Sequence, residues 1–146
     1  MKKDFTILIA DRNPHVRKFL KREMLAAGYQ VLLAKNGREV LKMAFHQEFP
    51  DLLILDPNLP DADAASLITE LQNRIPLLPI VVHTFLSEYP DPSDSFGVDA
   101  VIEKNGSSIE TLKSVVANIL NRSHKKQLHA PNDLPYRPDS LDRVDC

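Results

Sequence analysis

Five short apolar runs alternate with stretches of helical period, and this constrains the chain more than any other feature. The runs are Phe5 to Ala10, Val31 to Ala34, Leu52 to Leu55, Pro79 to Val82, and Ala100 onward to Glu103. Runs such as ILIA and LLIL leave no polar face, so they suit strands buried on both sides, as in a parallel sheet. The intervening stretches carry apolar residues at helical spacing: Val16, Phe19, Leu20, Met24 and Leu25; Val40, Leu41, Ala44 and Phe45; Leu67, Ile68, Leu71 and Ile75; Ile109, Leu112, Val115, Val116, Ile119 and Leu120. Alternation of this kind predicts an α/β fold with helices on both faces of a parallel sheet. Right-handed crossovers then bring the polar residues that close the strands to one shared edge.

Local signals punctuate the elements. Asn13-Pro14 supplies a helix cap and a first-turn proline, and Gly28 a left-handed stop. Ser107 and Glu110 have capping-box spacing ahead of the last helix. The segment Leu86 to Gly97 occupies the slot of a further helix, but Pro90 and Pro92 sit inside it. A turn, a short helix after Pro92 or a mobile loop is expected there. From Ser123 the periodicity ends and the composition becomes polar and proline-containing. Residues 1–122 are therefore expected to form one domain and residues 123–146 a flexible tail or linker.

Composition narrows the function classes. With 18 basic and 20 acidic residues among 146, the net charge is -2, which argues against a whole-domain nucleic-acid or membrane surface. Cys146 is the one cysteine, so no internal disulfide forms, which suits a reducing compartment. The apolar run behind Met1 is too short for a signal peptide or a membrane span, so the expected location is cytoplasmic. No glycine-rich phosphate loop ending in GK[ST] is present, which weakens any hydrolase or nucleotide-enzyme reading.

The richest stretch is DLLILDPNLPD, Asp51 to Asp61. Its apolar run ends on Asp56, and Pro57, Asn58 and Pro60 stop the strand. A rigid strand thus holds one carboxylate at the edge where open α/β sheets bind ligands. Asp11 closes the first run in the same way, and the two become neighbours if their strands pair. Each feature has a plainer reading: a strand-end aspartate also caps turns, Asp11 also orients a helix start, Thr84 suits a strand by propensity, and a strand-end lysine is usually solvated. His83 reads as a strand residue with no chemical role.

Taken together, ILIADRNP, DLLILDPNLPD, PIVVHT and GVDAVIEK resemble the receiver domain of two-component response regulators over about residues 5 to 121. The resemblance implies a doubly wound five-stranded parallel sheet of order 2-1-3-4-5. It implies that Asp56 accepts a phosphoryl group, that Thr84 hydrogen-bonds it and that Lys104 pairs with it. It also implies a magnesium site at Asp11, Asp56 and the Asn58 carbonyl. The implied partners are a sensor histidine kinase or phosphotransfer protein and a downstream protein, with homodimerisation open. Such a domain is a signalling switch rather than an enzyme, at most catalysing its own phosphoryl transfer and hydrolysis.

Four positions depart from that family's pattern. Arg12 follows Asp11 where a second acid is usual, which reverses a charge at the metal site; either its guanidinium partly stands in for the cation, contacting Asp56 or an incoming phosphoryl group by a forked hydrogen bond, or it points to solvent and leaves a weak metal site. Phe85 follows Thr84 where a small residue is usual, and a ring there is expected to cover Asp56. Asn105 replaces a proline after Lys104, so a trans bond is expected. Val101 stands where many receivers have a switching aromatic. Two functions therefore remain: a phosphoryl-accepting switch, and a phosphorylation-independent pseudo-receiver that serves as an interaction module.

Overall fold

The computed structural model describes residues 4–45, 50–85, 97–105 and 108–133, the last eleven by their backbone alone. Five strands form one parallel sheet: β1 (Thr6–Ala10), β2 (Gln30–Ala34), β3 (Leu52–Leu55), β4 (Ile80–Thr84) and β5 (Ala100–Glu103). Their order is β2-β1-β3-β4-β5, as expected. The helices described are α1 (Pro14–Ala26), α2 (Gly37–Phe45), α3 (Ala64–Leu71) and α4 (Ser108–Asp133). None of them is long and apolar enough to cross a membrane.

The apolar runs are unbroken because both sheet faces are covered. Leu8, Ala10, Leu53, Leu55, Ile80 and Val82 face one core with Val40 and Ala44 of α2 and Leu67, Ile68 and Leu71 of α3. The alternate residues Ile7, Ile9, Leu52, Ile54 and Val81 face a second core with Leu20 and Met24 of α1 and Leu112, Val116, Ile119 and Leu120 of α4. Neighbours along a strand point to opposite faces, so each run feeds two cores at once.

Local signals act as expected at α1. The Asn13 side chain accepts from the amides of His15 and Val16, and Pro14 opens the helix. Gly28 has φ +99°, the left-handed conformation a chain stop needs. A Cβ on Gly37 would meet Ala62 at 2.7 Å, so only glycine lets the β3–α3 loop approach the start of α2 this closely. There the Asp61 carboxylate accepts from the amides of Gly37 and Arg38, at 2.6 and 3.1 Å.

Several boundaries differ from expectation. Helix α3 ends at Leu71, which leaves Ile75 in the following loop and 94% exposed. Phe19, Leu25 and Phe45 lie at the margins of their helical stripes and are also exposed. Strand β4 starts at Ile80 rather than Pro79, and it runs out through His83 and Thr84, as expected, where both pair with β5. Helix α4 continues past Arg122 to Asp133. Ser123 to Ala130 contains no glycine and several good helix formers, so the backbone has no local reason to stop at Ser123. The proline-broken segment after Phe85 and the capping residue Ser107 lie outside the described residues.

Candidate functional site

Strand order reverses between β1 and β3: β1 leads to β2 on one side, while β3 pairs on the other. Ligand crevices of open α/β sheets form at such a switch point. Asp11 and Asp56 close these two strands, and the Asp56 amide donates to the Ala10 carbonyl at 2.8 Å. The ladder therefore carries the two carboxylates to the same edge, where both are only 1% exposed.

Two buried anions side by side need compensation. Lys104 supplies part of it from the end of β5. Its amide donates to the Thr84 carbonyl at 2.7 Å, which extends the β4–β5 ladder. Its Nζ lies 3.0 Å from Asp11 Oδ2 and 4.0 Å from Asp56 Oδ2, with the side chain 8% exposed. Arg12 supplies the rest: its amide donates to Asp56 Oδ2 at 3.2 Å, and its Nε lies 3.6 Å from the same oxygen. Its Nη1 donates to the Asn58 carbonyl at 3.4 Å. Asp56 Oδ1 accepts from the Asn58 amide at 3.0 Å, so the turn-capping reading of Asp56 holds beside any other role.

Asp11 is fixed from several sides. Its Oδ1 accepts from the Asn13 amide at 2.9 Å, and the Arg17 guanidinium donates to its carbonyl. Burial pushes its carboxyl above the ordinary range; the Asn13 amide and Lys104 pull it back, and the charge of Asp56 adds to the rise.

Thr84 is fully buried, and its hydroxyl donates to the Phe85 carbonyl at 3.2 Å. Phe85 is 47% exposed and has the Lys104 ammonium 5.6 Å from its ring centroid, a cation–π contact. The ring thus flanks the lysine and lines a cavity of about 340 Å³ together with Val16, Phe19, Leu20, His83 and Ile109. The Lys104–Asn105 bond is trans.

Sequence reasoning gave His83 no role, yet it is 5% exposed and its Nδ1 is buried without a hydrogen-bond partner. Burial lowers its pKa to about 4, helped by Lys104 and opposed by Asp56. A histidine inside an otherwise apolar strand was the available signal. Arg17 was missed as well, because nothing in its spacing shows that it reaches back to Asp11.

The family model for the response regulator receiver domain matches residues 7–117. The chain belongs to this family.

Solved receivers share its fold. The response regulator TrrA of Thermotoga maritima, solved in complex with Mg(2+)-BeF, is 30% identical, with TM-score 0.71 over 78% of this chain and 97% of that one. A two-component response regulator from Clostridium difficile is 28% identical, with TM-score 0.74 over 82% and 98%. The protein named "Probable transcriptional regulator ycf27" of Pyropia yezoensis is 32% identical over 130 residues, 86% of this chain. The chain spans 52% of that relative's length.

The donor set of this receiver does not fit a divalent cation as arranged. A magnesium ion needs hard oxygen ligands in near-octahedral order. Of the three expected ligands, Asp56 and the Asn58 carbonyl face the Arg12 guanidinium, and Asp11 faces the Lys104 ammonium. Among the described residues no group of three or more His, Cys, Asp or Glu side chains is placed to hold a metal.

Proposed function

We propose that Asp56 is the phosphoryl acceptor of this receiver, taking the group from a phosphohistidine on a sensor kinase or phosphotransfer protein. The observation that carries this reading is a buried nucleophile ringed by positive charge: Asp56 Oδ2 lies within 4.0 Å of Lys104 Nζ and 3.6 Å of Arg12 Nε. An Asp56 oxygen attacks phosphorus; the new O–P bond forms as the P–N bond of the donor breaks, and the leaving imidazole nitrogen takes up a proton. The product is an acyl phosphate, whose added negative charge the two side-chain cations are placed to meet.

The switch follows from what those groups do beforehand. Lys104 is held on Asp11, and the Thr84 hydroxyl on the Phe85 carbonyl. A phosphoryl group competes for both, drawing the amine and the hydroxyl inward and changing the surface around Phe85 for a downstream protein partner. Intact mass after incubation with a small phosphodonor tests the reading. One added phosphoryl group, abolished in Asp56→Asn, is expected; no addition to the wild-type chain overturns it.

A second reading draws on the same contacts. With Asp56, Asp11 and Thr84 all engaged, the pocket is self-satisfied, as suits an interaction module that works without phosphorylation. Partner binding that is unchanged in Asp56→Asn would select it.

A further inference from the structure

We propose that this receiver carries its own counter-ion, so that its pocket excludes divalent metal and works without one. For phosphoryl transfer, this rests on the reading of Asp56 as acceptor. For metal exclusion, it stands alone.

Charge at the site decides the matter first. Asp11 and Asp56 bring two negative charges, and Lys104 and Arg12 bring two positive ones, all within contact distance. The cluster is neutral as built, so a divalent ion entering it would leave two uncompensated charges beside carboxylates that are 1% exposed. An acid at position 12 would reverse the sum: three carboxylates against one lysine leave two negative charges, which a divalent cation balances.

Geometry gives the same answer. A guanidinium and a metal ion compete for the same oxygen lone pairs, one through N–H donors and the other by coordination. Arg12 meets the Asp56 carboxylate with its Nε and the Asn58 carbonyl with its Nη1, which are two of the three ligand positions the family pattern implies. The backbone is tied down on each side of the side chain's origin: the Arg12 amide is on Asp56, the Asn13 amide is on Asp11, and the Asn13 side chain caps α1. The outer part of the residue remains in water, at 40% exposure of the side chain. The third ligand position, Asp11, is in turn engaged by Lys104.

Isothermal titration of the full chain with magnesium chloride tests the proposal, comparing wild type with Arg12→Asp and Arg12→Gln. Wild type is expected to show no saturable binding at concentrations that saturate Arg12→Asp, whose affinity is tighter by at least about tenfold. Arg12→Gln is expected to fall between the two. Saturable binding by wild type as tight as that of Arg12→Asp overturns the proposal. So does an Arg12→Asp chain that melts cooperatively yet ignores the metal, because something other than Arg12 would then exclude it. In a parallel arm, wild type is incubated with a small phosphodonor in the presence of a chelator. An equal mass gain with and without chelator is expected, and a gain that needs added magnesium overturns metal-free transfer. If no mass is gained in either condition, the acceptor reading of Asp56 fails, while the titration still decides metal exclusion.

Discussion

His83 and Arg12 show how single residues set the properties of this receiver. The His83 pKa falls from 6.5 to about 4 on folding. The unfolded chain therefore binds the proton first as pH drops, and stability attributable to this residue is complete above pH 6.5 and is lost between 6.5 and about 4. The loss amounts to about 3 kcal/mol at most. Thermal or urea melts of wild type and His83→Gln across that range measure it; the difference between the two curves should change with pH, and a constant difference would remove the histidine from the account. Lys104 contributes to the lowered value, which links the buried ring electrostatically to the cation cluster. Much of this site was legible as residue types closing strands: Asp11, Asp56 and Lys104 do meet at one edge. The approach of the Arg12 guanidinium to Asp56 was expected from the reversed charge at position 12, but its contact with the Asn58 carbonyl was not, since a side chain's direction depends on a loop that spacing does not describe. The orientation of the Thr84 hydroxyl, toward the carbonyl of the next residue, likewise left no trace in the sequence.

At the scale of elements, two polar side chains have outsized effects. Asn13 caps α1 through the amides of His15 and Val16, at 2.8 and 3.4 Å, directly after the residues that line the pocket. Asn13→Ala should cost about 1 kcal/mol of stability, read as a lower urea midpoint with an unchanged slope. Arg74 is buried, and its guanidinium donates to the carbonyls of Ala44, Pro50 and Pro76, joining the end of α2 to the chain ahead of β3 and β4. A single ammonium does not span three carbonyls in one plane. Arg74→Lys should therefore destabilise by about 2 kcal/mol or more, and a melt indistinguishable from wild type would show that the three bonds contribute little. Strands were easier to place than these ties, because an unbroken apolar run has one physical explanation once both sheet faces are covered. Helix stripes were overdrawn at their margins: Phe19, Leu25 and Phe45 fit the period but lie off the buried centre. The end of β4 at His83 and Thr84 was legible too, and its pairing with β5 fixes both residues there.

For the whole molecule, the sheet divides the interior into two cores, and the described part of the second closes at Leu120. We expect residues 1–122 to fold as a unit and residues 123–146 to act as a linker or tail, although the backbone of α4 stays helical to Asp133. A chain ending at Arg122 should melt within a few degrees of the full chain, on the scale of about 1 kcal/mol. A large drop would assign the distal part of α4 a share in holding the fold. Alternating runs and stripes made the parallel sheet with two covered faces legible, while the strand order 2-1-3-4-5 was implied by the resemblance to receivers and is the order observed. The continuation of α4 was not legible, since a polar stretch without period gives no tertiary reason for a helix and only weak local ones.

The aromatic ring beside Lys104 also equips this protein for direct observation. The chain contains no tryptophan, so Phe85→Trp would introduce a single indole emitter 5.6 Å, on the present ring position, from the ammonium that the proposed phosphorylation of Asp56 would draw inward. Fluorescence from that one chromophore would report each charging event in real time, with no label attached.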